Sequence, residues 1–169
     1  AYSEISEIYL KQGNFEQAEQ VLFEILEVIE APERKAEVHY YLARLYVTAQ
    51  NYEKAVDQFT IALQDLNKNE MFQSALFGRG AIFLQIEQYN SAIDDFENLL
   101  SQPSVVPELK SKSLRRLVTC YLEIGEGQQA IEAAQNFVAS AKNKTERAYG
   151  LLALSQAYYE MGDFQQGIL

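Results

Sequence analysis

Tryptophan is absent from the 169 residues, and cysteine and histidine occur once each, as Cys120 and His39. A single Cys makes neither an intrachain disulfide nor a Cys-based zinc cluster, and a single His leaves no His pair for a metal or a proton shuttle. Most metalloenzyme and catalytic-triad chemistries therefore drop out, and neither a metal nor a cofactor is expected. No stretch approaches the roughly 18 consecutive apolar residues of a membrane span, so direct membrane insertion is not expected. No basic N-terminal region followed by an apolar run is visible. Bases are scarce: 14 Lys and Arg face 24 Asp and Glu, giving a net charge of −10. That sign disfavours a nucleic-acid backbone or an anionic membrane surface as partner. The same composition suits the cytoplasm or a bacterial periplasm.

What is abundant is ordered repetition. Tyr9, Tyr46, Phe83, Tyr121 and Tyr158 recur at intervals of 37, 37, 38 and 37 residues. Nine residues further on, Ala18, Ala55, Ala92, Ala130 and Gly167 keep the same intervals. Between these columns runs a second aromatic column, Phe15, Tyr52, Tyr89 and Phe164, which the fourth repeat breaks with Gly127. A short polar turn precedes it each time: Gly13-Asn14, Gln50-Asn51, Glu87-Gln88, Gly125-Glu126 and Gly162-Asp163.

Apolar residues on both sides of each turn follow the helical period. In the second repeat Val38, Leu42, Leu45, Tyr46 and Ala49 share one face, and Ala55, Val56, Phe59, Ala62, Leu63 and Leu66 share another. Each repeat thus reads as a helical hairpin, and the fold class as all-α. Pro32, Pro103 and Pro107 fall between hairpins, where a missing amide costs little. The pattern predicts helices near 1–12, 16–29, 33–49, 53–66, 70–86, 90–101, 107–124, 127–141 and 145–161, with a tenth beginning near 165. Repeat boundaries fall at 1–32, 33–69, 70–106, 107–144 and 145–169, in one array whose last repeat is truncated. Ala1 and Leu169 both sit inside helical patterns, so the sequence reads as a trimmed piece of a longer protein.

The segments YLKQGNFEQAEQVLFEIL from Tyr9, LARLYVTAQNYEKAVDQFTIAL from Leu42, GAIFLQIEQYNSAIDDFENLL from Gly80, CYLEIGEGQQAIEAA from Cys120 and LSQAYYEMGDFQQGIL from Leu154 resemble the tetratricopeptide repeat family. The period of about 37 exceeds that family's usual 34 residues. Arg79 stands where the pattern has an apolar residue, and Val118 where it has a small one. The resemblance implies a right-handed α-solenoid whose first helices line a concave groove that holds an extended or helical segment of a protein partner. By position, the groove residues are Ser3, Glu7 and Leu10, then Glu37, Tyr40, Arg44 and Val47, and Phe77, Ala81 and Leu84. The fourth repeat supplies Lys112, Arg115, Thr119 and Leu122, and the fifth Tyr149, Leu152, Gln156 and Tyr159. Tyr40, Phe77, Leu84, Leu152 and Tyr159 lie outside the core columns and have the character of binding anchors.

Charge is uneven along the chain. Residues 1–31 carry −6, 32–69 balance, 70–107 carry −4, 108–145 carry +2 and 146–169 carry −2. In the basic fourth repeat Lys112, Arg115 and Arg116 share a helix, able to receive an acidic group or simply forming a solvated face. Lys112 and Arg116 match two basic positions of the family's carboxylate clamp, but Ser3, Glu7 and Tyr41 replace its asparagines. Glu16, Glu19, Glu24, Glu27 and Glu30 give the first repeat its acidity.

Catalysis is not expected. Asp94 and Asp95 are adjacent and diverge around a helix, Gly78 and Gly80 lie within a helix and not in a phosphate loop, and Cys120 and His39 read as packing residues. The function predicted is a protein interaction scaffold. Two other readings are a self-association module acting through its truncated ends, and a regulatory or targeting module of a larger enzyme or of a secretion or assembly machine.

Overall fold

The computed structural model describes residues 14–163 and Gln166. Among them are eight α-helices and no strand: α1 (Phe15–Val28), α2 (Pro32–Thr48), α3 (Tyr52–Asp65), α4 (Glu70–Gln85), α5 (Tyr89–Leu100), α6 (Pro107–Glu123), α7 (Gly127–Ser140) and α8 (Lys144–Glu160). Each of these overlaps an expected helix, and most bounds fall one residue earlier than the periodicity predicts. The helices expected at 1–12 and from 165 lie outside the described residues. Two compact units divide at Arg79 and Gly80.

One backbone device ends four of the first helices. Gln50, Glu87, Gly125 and Gly162 all have positive φ, between 57° and 79°, and lie 37, 38 and 37 residues apart. The amide after each donates back to an aromatic of the first column: Asn51 to Tyr46, Gln88 to Phe83, Glu126 to Tyr121 and Asp163 to Tyr158, at 2.8–2.9 Å. This six-to-one bond caps the helix and reverses the chain in two residues. Asn51 then serves as N-cap of α3, its side chain accepting from the Lys54 amide. Pro32 and Pro107 each open a helix at its first residue, where no amide partner is forfeited.

In the first unit, α1, α2 and α3 pack through Ala18, Leu22, Val38, Leu42, Leu45, Ala55, Phe59 and Ala62, all essentially solvent-free. Ala49 is exposed instead of lining the core face, because it is the C-cap of α2 and already leaves the helix. Glu19 on α1 accepts from the Tyr46 hydroxyl and meets Lys54 Nζ at 3.4 Å, with that ammonium 5.0 Å from the Tyr46 ring centroid. One of the five clustered glutamates is thereby satisfied by a base from the next hairpin.

In the second unit, Ala92, Phe96, Leu99, Leu117, Cys120, Ala130, Ala134 and Phe137 form the centre of the core. Tyr121 on α6 donates to Glu97 on α5 at 2.5 Å, and burial together with that carboxylate drives its phenol far above the ordinary range. The small-residue column is buried at Ala18, Ala55, Ala92 and Ala130; Gly167 lies outside the described residues.

Candidate functional site

The first unit carries a recess between α2 and α4. Tyr40 is half-buried, its ring edge-on to Tyr41 at 5.5 Å and to Phe59 at 5.9 Å. The Arg44 guanidinium, one turn on, lies 5.9 Å from the Tyr40 centroid. Burial raises the Tyr40 phenol above its ordinary value, while Arg44 and a hydrogen bond with Ser74 pull the other way. Tyr40, Tyr41, Arg44 and Ser74, with Asn69, Glu70 and Met71, surround about 510 Å3 of open space. Phe77, one turn beyond Ser74 on the same helix, is half-buried.

A second recess, of about 190 Å3, lies between α6 and α8 in the second unit. Arg115, Thr119 and Leu122 line it from α6, and Tyr149, Leu152 and Gln156 from α8. These six residues, assigned by repeat position to the first-helix surface, meet around one depression. Leu152 is 67% exposed and Tyr149 52%, two large apolar side chains at one depression. Val118, Ala153 and Glu123 complete the lining and were not singled out as groove residues. The signal for Val118 was its bulk where the pattern has a small residue; Ala153 and Glu123 carried none.

The other expected residues are not drawn together. Lys112 is bound to Glu108 one turn back, at 2.6 Å, and this contact holds the Glu108 carboxyl below its usual range. Neither Lys112 nor Arg116 lines the α6–α8 recess. Arg116 is half-buried, its charge disfavoured first by burial and then by neighbouring Arg115. The two residues that match clamp positions therefore sit in unlike surroundings. Leu84 is half-buried near the end of α4, and Tyr159 is 64% exposed without lining the recess.

His39 Nδ1 contacts Gln58 Oε1 at 2.7 Å, tying α2 to α3, with the ring nitrogen as donor. Cys120 is fully buried and its thiol is pushed up to about 11, mainly by that burial. Asp94 is exposed and Asp95 buried, as divergent neighbours on a helix must be. Arg79 Nη1 donates to Thr60 Oγ1 at 2.9 Å, so the polar residue in an apolar column reaches a hydroxyl on the second helix of the preceding hairpin. Among the described residues no group of three or more His, Cys, Asp or Glu is placed to hold a metal ion, and no helix is long and apolar enough to cross a membrane.

Several known proteins share this architecture. The crystal structure of MamA superposes with a TM-score of 0.77 at 19% identity, covering 99% of this chain and 84% of that one. YrrB, described as a TPR protein with an unusual peptide-binding site, gives 0.76 at 17% identity over 99% and 79%. BtubC from P. vanneervenii gives 0.73 at 19% identity over 98% and 74%. At these identities the likeness shows the fold, an all-α helical-repeat solenoid. The Homo sapiens Intraflagellar transport protein 88 homolog is 29% identical over 100 residues, 57% of this chain but only 11% of that protein. A model of the tetratricopeptide repeat matches residues 4–70 and again 40–107, together more than half of the sequence. The chain belongs to the tetratricopeptide repeat family.

Proposed function

We propose that this chain is a non-catalytic interaction scaffold, built of repeats divided near residues 32, 69, 106 and 144, which holds a segment of a protein partner against its first helices. The observation that carries this reading is the α6–α8 recess, where Leu152 and Tyr149 are largely exposed beside Arg115. Exposed large apolar side chains around a depression, with a guanidinium at the edge, are the ingredients of a binding hot spot. Membership of the tetratricopeptide repeat family supports the reading, as does the peptide-binding site ascribed to YrrB. The α2–α4 recess also holds a ring and a guanidinium, those of Tyr40 and Arg44.

The test is a selection of displayed random peptides against the intact chain, followed by affinity measurements on Leu152→Ser and Arg115→Glu. Both side chains are surface groups, so melting temperatures should stay unchanged. Enriched peptides are expected to weaken at least tenfold on one or both variants. Peptides indifferent to both substitutions would overturn the placement of the site.

A further inference from the structure

A separate depression of about 420 Å3 lies on the other side of α6, among α5, α6 and α7. Its floor is apolar, with Leu114 and Leu117 buried. Its rim carries Glu97 from α5 and Glu132 from α7, both exposed, and no Lys or Arg is in its lining. Tyr121 shares this lining, and its hydroxyl donates to Glu97.

In the preceding repeat two of the equivalent positions are already joined to each other. Counting back one period, Leu117 corresponds to Arg79 and Glu97 to Thr60. Arg79 therefore rises from the position of the floor leucine, and its guanidinium binds the side chain at the position of Glu97, at 2.9 Å. In the fourth repeat the floor is a short leucine, the space above it is open, and the acceptor is a carboxylate in place of a hydroxyl. A guanidinium supplied from outside would find a stronger acceptor than Arg79 finds in Thr60, with a second carboxylate in the same lining.

We propose that the recess among α5, α6 and α7 binds an arginine side chain of a partner protein, whose alkyl stem lies on Leu114 and Leu117 and whose guanidinium bridges Glu97 and Glu132. This site is independent of the first-helix recesses and of the function proposed for them. Arginine fits better than lysine because a planar fork can meet two carboxylates at once while its stem covers apolar floor.

The test is an NMR titration of the isotopically labelled chain with the blocked tripeptide acetyl-Gly-Arg-Gly-amide, alongside versions carrying lysine or citrulline. Expected are saturable shifts centred on Glu97, Tyr121 and Glu132 with the arginine peptide, at least fivefold weaker binding of the lysine peptide, and none of citrulline. Glu132→Gln should weaken binding several-fold, and Leu117→Arg, which copies the preceding repeat, should abolish it by filling the recess from within. Should Leu117→Arg fail to fold, Glu97→Gln/Glu132→Gln serves as the blocking variant. Shifts spread equally over the acidic face of α1, equal binding of lysine, or binding that survives the double variant would overturn the proposal.

Discussion

Met161 lies where a side chain on Gly127 would have to begin: a Cβ built at Gly127 would stand 2.1 Å from the Met161 Sδ and 2.6 Å from its Cγ. Gly127 occupies the column that holds Phe15, Tyr52 and Tyr89 in other repeats, so the missing ring is answered by a methionine from the next turn. Methionine is flexible enough to fill such a gap. Gly127→Tyr alone should cost about 1–3 kcal/mol by overpacking, and adding Met161→Ala should recover about 1 kcal/mol of that. Denaturant melts of the two single variants and the double variant give the coupling; additive effects would show that the two sites do not share space.

Gly150 has a harder neighbour. A Cβ there would approach Val138 Cγ2 at 2.8 Å, its backbone nitrogen at 3.1 Å and its Cα at 3.2 Å. Backbone cannot move aside as a side chain end can, so α8 would have to shift from α7. Gly150→Ala is expected to destabilise by about 1–3 kcal/mol, even though alanine is the better helix former by about 1 kcal/mol. A variant at least as stable as the parent in urea would refute this close approach.

Two turns hold non-glycine residues in the left-handed region, Gln50 at φ 57° and Glu87 at φ 61°. A Cβ in that conformation costs about 1 kcal/mol or more, which glycine avoids. Gln50→Gly and Glu87→Gly should each raise stability by about 1 kcal/mol and, being in distant turns, should add. Glycine already stands at the equivalent places Gly125 and Gly162.

Ser113 on α6 is solvent-free, and its Oγ has no hydrogen-bond partner. Removing a buried hydroxyl that bonds nothing relieves its desolvation, so Ser113→Ala should stabilise by about 1 kcal/mol. A lower melting temperature for this variant would mean that the hydroxyl is satisfied in solution.

The Cys120 thiol is raised from an ordinary 9.0 to about 11 by burial. The folded chain thus keeps a proton that the unfolded chain gives up, and this contribution to stability is intact below pH 9 and lost as pH rises to about 11. Stability measured across that interval should fall less steeply in Cys120→Ala than in the parent. Iodoacetamide should accordingly label the native thiol slowly at pH 8, at a rate limited by unfolding.

Much of the architecture is legible in residue spacing. Columns 37 or 38 residues apart locate the turns, the helices on either side and the buried alanines, because every hairpin solves the same packing problem at the same positions. Spacing also collects Arg115, Thr119, Leu122, Tyr149, Leu152 and Gln156 on first-helix faces. It is less informative where adjacent residues compete: Arg115 and Arg116 read alike in sequence, yet one lines the recess and the other is half-buried. A period of 3.6 residues defines a helix face only to within a residue either side, and the rotation of the helix against its neighbours selects between them.

By itself, then, the sequence determined the hairpin period, the polar turns and the all-α class, since these follow from local propensity and from apolar faces that recur in phase. Tertiary structure decided which surfaces are open. Arg79 turns toward Thr60 where Leu117 leaves a recess beside Glu97, Met161 answers Gly127, and Lys54 reaches Glu19. Each of these pairings spans 19 to 35 residues, and no helical or strand period relates partners that far apart; only the packing of one helix on another brings them together.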